Sequence, residues 1–144
     1  MHYAYRFRLD PTPEQCERLD YHRDTCRQLY NHALNEFEQI PDSAGTLNQR
    51  VRQVRDQLTD LKEWWNELND LYSTVAQAAV MRIEDSTKTL SELKERGYNV
   101  GSLNWKAPQD FRSFTYVTYS LVSSSIVRTA SLYCHCRNSR IFQS

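Results

Sequence analysis

The apolar positions divide the chain into an alternating start, a long stretch of helical period and a second alternating segment near residue 111. At the start, Tyr3, Tyr5, Phe7 and Leu9 alternate with Ala4, Arg6 and Arg8. This is the period-two pattern of a half-buried strand with a basic outer face. Asp10-Pro11 ends it. Thr12, Pro13 and Gln15 then offer an N-cap, a proline suited to the first helical position and the partner residue of a capping box. Leu19, Cys26, Leu29, Tyr30, Ala33, Leu34 and Phe37 follow at three- and four-residue spacing, interrupted by a more polar centre from Tyr21 to Arg27. The pattern predicts either one long helix or two helices with a bend at that centre.

Residues 40–45 read as a loop. An amphipathic helix is predicted from Thr46 to about Leu61, with Leu47, Val51, Val54, Leu58 and Leu61 on its apolar face. Residues 62–72 predict a short helix with Trp64, Leu68 and Leu71 turned inward. Ser73 can cap the next helix, which carries Val75, Ala79, Val80, Ile83, Leu90 and Leu93 and stops at Gly97. After a loop at 98–103 comes "NWKAPQDFRSFTY", Asn104 to Tyr116. There Phe111, Ser113 and Thr115 alternate with Arg112, Phe114 and Tyr116, which predicts a second strand. The fold class is therefore mainly α with some β: a helical bundle inserted between two short strands that pair antiparallel with each other. A lone two-stranded ribbon is marginal in water, so the pair should want further strands.

Composition changes this picture little, and charge distribution changes it more. The net charge is zero, with 40% apolar and 25% charged residues, so bulk charge announces neither nucleic acid nor membrane. All 18 acidic residues lie between Asp10 and Asp110, however, and the segment after them keeps Arg112, Arg128, Arg137 and Arg140. From Val117 the sequence has no clear cap, turn or period. A frameshifted or divergent tail over 117–144 is the expectation. No apolar run is long enough for a membrane span, and the first residues lack an apolar signal core, so a cytoplasmic protein with free thiols is expected. Cys134-His135-Cys136 supplies at most three adjacent ligands, not the paired knuckles of structural zinc, so no metal or other cofactor is expected.

Four blocks stand in a recognisable order: "YRFRLDPTPEQ" (Tyr5 to Gln15), "CRQLYNHAL" (Cys26 to Leu34), "STVAQAAVMRIEDSTK" (Ser73 to Lys88) and "NWKAPQDFRSFTY". Together they resemble the amino-terminal region of TnpB proteins, the OrfB-type products of insertion sequences, over about residues 3–116. The resemblance implies an RNA-guided DNA endonuclease family. In it, the two strands (residues 1–10 and 104–118 here) belong to a wedge-like β-barrel, left incomplete here, and the helices (12–97) form a recognition lobe. Together, barrel and lobe grip a guide RNA and read a short motif flanking the DNA target. The family's catalytic carboxylates lie in a later RNase-H-like domain. No acid follows Asp110, so the chain is expected to bind and not to cut, as a truncated member of the family.

The candidate nucleic-acid contacts are Arg6, Arg8, Arg27, Ser73, Gln77, Trp105, Lys106, Arg112 and Thr115. Arg6 and Arg8 share a strand face at a spacing that can track a phosphate backbone. Gln77 and Thr115 match places where the family contacts the flanking motif, Ser73 lies one turn before Gln77 on the same face, and a bidentate amide is the chemistry that reads adenine. Trp105, Lys106 and Arg112 mix rings and cations, as nucleic-acid surfaces do, although Trp105 taken alone reads as core and Ser73 as a cap. Tyr30-Asn31 offers a ring and an amide, with Tyr30 favouring the core. The expected partners are DNA and a guide-type RNA, with no membrane and no small-molecule substrate. Two other readings stay open. One is a helix-turn-helix regulator over residues 13–38, which needs a tight turn near Arg23–Cys26. The other is a helical protein-interaction module.

Overall fold

Helix α1 (Pro13–Gln39) runs uninterrupted for 27 residues. Its start follows from sequence: the Thr12 hydroxyl accepts the Gln15 N–H at 3.3 Å, and the Gln15 side chain accepts the Thr12 N–H at 2.9 Å. The polar centre does not bend it. Asp20 pairs with Arg23 at 3.2 Å, Asp24 accepts from Arg27 at 2.8 Å and from Gln28 at 2.7 Å, and Thr25 donates to the Tyr21 carbonyl at 2.9 Å. Polar side chains with partners one turn away stabilise a helix where apolar periodicity fades. The turn near Arg23–Cys26 that a helix-turn-helix over residues 13–38 requires is therefore absent, and α1 is one element. The computed structural model describes the backbone of residues 7–119, 127–133 and 141–143, and the side chains of residues 10–115.

The helix expected over 46–61 is two helices, α2 (Leu47–Asp56) and α3 (Leu58–Trp64), which meet at Gln57. The Gln57 N–H bonds the Val54 carbonyl at 3.2 Å, a tightened last turn. The apolar face survives: Val51, Val54, Leu58 and Leu61 are buried and Leu47 packs at the margin. A second break falls at Trp65, which is extended between α3 and α4 (Asn66–Asn69). That break rotates the register, so Trp64 is 66% exposed, contrary to expectation, while Trp65 packs on the core with His32 edge-on. Leu68 and Leu71 are buried as expected.

Helix α5 (Ser73–Glu95) is capped by Tyr72 backbone and not by the Ser73 side chain, which lies inside the first turn. It ends where glycine is required: Gly97 has φ +88, its N–H bonds the Lys94 carbonyl at 3.0 Å, and the Tyr98 N–H bonds Leu93 at 3.1 Å. This is a Schellman cap, whose left-handed position strains any residue with a Cβ. The buried face of α5 runs from Val75 to Glu84; Leu90 and Leu93 are only half-buried.

Faces of α1, α2 and α5 meet in one core that includes Leu29, Leu34, Val51, Leu68, Val75, Val80 and Ile83. One carboxylate sits at its margin. Glu84, 6% exposed, accepts from Lys88 at 2.6 Å and from Asn48 at 3.3 Å. The Lys88 hydrogen bond, opposed by burial and helped by Asn48, holds the carboxyl below its usual range. Its stabilisation is therefore present above the ordinary carboxylate value and is lost as pH falls through the lowered one. Glu84→Gln is expected to melt below wild type at neutral pH, with the gap closing well below about pH 4. Thermal melts at the two pH values check this, and a gap that widens in acid would contradict it.

The strands β1 (Phe7–Leu9), β2 (Ser113–Tyr119), β3 (Val127–Tyr133) and β4 (Ile141–Gln143) form an antiparallel sheet in the order β1-β4-β3-β2. The expected direct pairing of the two end strands is thus corrected. β2 pairs with β3 from Ser113↔Tyr133 to Tyr119↔Val127, and β1 pairs with β4. Closing a short connection to the next strand costs less entropy than closing one across all the helices. The segment after residue 117, which read as aperiodic, supplies two of the four strands. β1 and β2 stand at opposite edges, so the described strands do not close a barrel. β2 also begins two residues later than expected. Phe111 precedes it, buried against Tyr30 at 6.1 Å between ring centres and under the Arg82 guanidinium at 4.7 Å. Arg82 also donates to the Ser113 hydroxyl at 3.0 Å, which ties the start of β2 to α5.

Candidate nucleic-acid interface

Ser73 and Gln77 lie one turn apart at the start of α5, and both are exposed. They open onto a cleft of about 560 Å³ whose other wall is the α2–α3 junction, with Arg55, Asp56, Thr59 and Lys62. Lys62 Nζ donates to Ser73 Oγ at 3.0 Å, and Asn69 donates to the Lys62 carbonyl at 3.1 Å, so the two walls are tied at one point. The first turn of α5 carries no acid and no side-chain cap. Its unpaired amides add a partial positive charge to the two cations. Asp56 offsets part of it, but its contact with Arg55 is long at 3.5 Å, and both groups are solvated. The cleft thus joins an exposed amide, two hydroxyls and two cations. Sequence reasoning missed Arg55 and Lys62. They lie on different helices either side of the break at Gln57, so no single helical spacing pointed to them.

A second cluster forms where α1 meets the segment before β2. Asn31, 9% exposed, donates to the Lys106 carbonyl at 3.0 Å and accepts the Lys106 N–H at 2.8 Å. Arg27 Nη1 donates to the same carbonyl at 3.3 Å while its Nε holds Asp24. Asn31 therefore spends its amide inside the fold and is not free to read a base, and Arg27 is largely occupied by the protein. Tyr30 is core, as expected. Trp105 is not core but 63% exposed. Lys106 is half-buried, Arg112 is exposed and donates to the Gln109 carbonyl at 3.0 Å, and Thr115 is half-buried on β2. Arg8 stands opposite Phe142 in the sheet register, with its side chain outside the described residues, and Arg6 lies outside them altogether.

The structure therefore brings Ser73 and Gln77 together, and separately Arg27, Trp105 and Lys106. Of the thiols, Cys26 is wholly buried, which pushes its pKa up to about 12 and leaves it inert, and Cys16 is half-buried. Cys134-His135-Cys136 lies outside the described residues. Among the described residues no group of three candidate ligands could hold a metal, and no helix is long and apolar enough to cross a membrane.

Comparison with known proteins adds one match. Residues 1–40 fit the family model HTH_OrfB_IS605, described as a helix-turn-helix domain. No curated protein and no solved structure matches the chain. The matched residues span β1 and all of α1, the same segment that carries the first two sequence blocks. Over these first 40 residues the chain is thus similar to the amino-terminal region of OrfB/TnpB-type IS605 proteins.

Proposed function

We propose that this transposon-associated chain binds nucleic acid through the cleft between α2–α3 and α5, with Gln77 reading a base edge in a DNA duplex and Lys62 and Arg55 holding the phosphates beside it. The observation that carries this is the exposed Gln77 amide, one turn from Ser73 and facing two cations across an open cleft. An amide donates to and accepts from adenine in the major groove, whereas lysine and arginine contact phosphate without regard to sequence. The family match over residues 1–40 supports DNA as the partner. The family resemblance adds a guide-type RNA, for which the basic strand positions Arg6 and Arg8 and the exposed Arg112 are the candidate contacts. We assign these residues a binding role. The family model over residues 1–40 is described as a helix-turn-helix domain, and in this chain the matched helical part is the unbroken α1.

Selection from a pool of duplexes with a randomised window tests the assignment. Wild type is expected to enrich an adenine-containing motif, and Gln77→Ala to flatten that preference by about 1–3 kcal/mol at one position. Lys62→Gln is expected to weaken binding to all sequences alike. A motif unchanged by Gln77→Ala would refute the role given to Gln77.

A further inference from the structure

Trp105 combines two features that rarely occur together. Its ring is 63% exposed and packs on no other aromatic ring among the described residues. Yet the backbone beside it is held by a nearly buried side chain: Asn31 brackets both the N–H and the C=O of Lys106, at 2.8 and 3.0 Å, and Arg27 adds a third bond at 3.3 Å. A loop that only had to cover the core would turn this ring inward, since burying a large aromatic is favourable. Fixing the backbone removes conformational freedom that a bound partner would otherwise have to remove. The result is a pre-positioned, solvent-facing indole.

Resting on the nucleic-acid reading above, we infer that Trp105 is a stacking platform for an unpaired base of a single-stranded nucleic acid, with Asn31 and Arg27 as its positioning residues. Charge decides between a nucleic acid and a second protein surface. The Arg27 guanidinium reaches the Lys106 carbonyl while its Nε stays paired with Asp24, so the cation beside the ring that can meet a phosphate is Lys106. Stacking on an exposed indole needs no particular base, because every base presents a π face. The site is separate in composition from the Gln77 cleft and shares no residue with it.

Two single-stranded oligonucleotides of equal length, one oligoadenylate and one fully abasic, isolate the stacking contribution, because both carry the same phosphates. The full chain is expected to bind the oligoadenylate roughly tenfold more tightly. Trp105→Ala should bring the ratio near one with thermal melting unchanged, and Trp105→Phe should keep most of it. Asn31→Ala should also reduce the ratio, and the Asn31→Ala/Trp105→Ala double variant should be no worse than Trp105→Ala alone, the non-additivity expected of residues acting as one unit. Equal binding of the two strands by wild type would leave phosphate binding intact and overturn the stacking role. Binding of neither would overturn the nucleic-acid reading and this inference with it. A self-association lost in Trp105→Ala with the ratio unchanged would make the ring a protein contact and also overturn it.

Discussion

Phe114→Ala is expected to destabilise the fold by about 3–5 kcal/mol, the cost of emptying a large aromatic site in a core that cannot fully collapse. Phe114 is 2% exposed and is one of the largest fully buried side chains among the described residues. It comes from β2, whereas most of the surrounding core comes from α1, α2 and α5. Its ring thus ties β2 into the helical core, next to Phe111, which lies under Arg82 just before the strand. Because domains of this size are stable by about 5–15 kcal/mol, the loss is a large fraction of the whole. Urea unfolding followed by helical circular dichroism checks it. A cost under about 1 kcal/mol would mean that β2 does not dock on the helices as described.

Asn31→Leu should cost about 2–3 kcal/mol despite its nearly unchanged size. The substitution leaves the Lys106 N–H without its partner and the Lys106 carbonyl with Arg27 alone. An unsatisfied buried donor is more expensive than the bond it once made was stabilising. The expected signature is local as well as global: hydrogen exchange at Lys106 should accelerate in Asn31→Leu more than exchange at Leu29 or Leu34. Uniform acceleration would contradict the clasp, and so would no change at Lys106.

The helical part of this fold was legible because it obeys local rules. The capping box at Thr12, the buried face of α1 and the glycine stop at Gly97 all follow from residues within a turn or two of each other. The errors arise where the outcome depends on distant partners or on one uncertain break. Trp64 and Trp65 exchanged roles because α3 ends one residue before the second ring. The pairing of β1 with β4 depends on residues whose sequence shows no clear period. For the interface, sequence singled out Gln77 and Trp105, but the environment of each was hidden. Lys62 meets Ser73 only because α3 folds back toward α5, and Asn31 meets Lys106 only because the segment before β2 crosses α1. A family match confined to residues 1–40 could inform neither of these contacts.

The proposed function rests on cations meeting phosphates, and salt reports that most directly. Binding of the intact chain to a DNA duplex, measured across a series of monovalent salt concentrations, should give a log–log line that falls by about 0.9 for each phosphate neutralised. A slope of roughly −2 to −4 is expected from Lys62, Arg55 and the neighbouring basic side chains, reduced by about one in Lys62→Gln. A slope near zero, or no binding at low salt, would contradict the account.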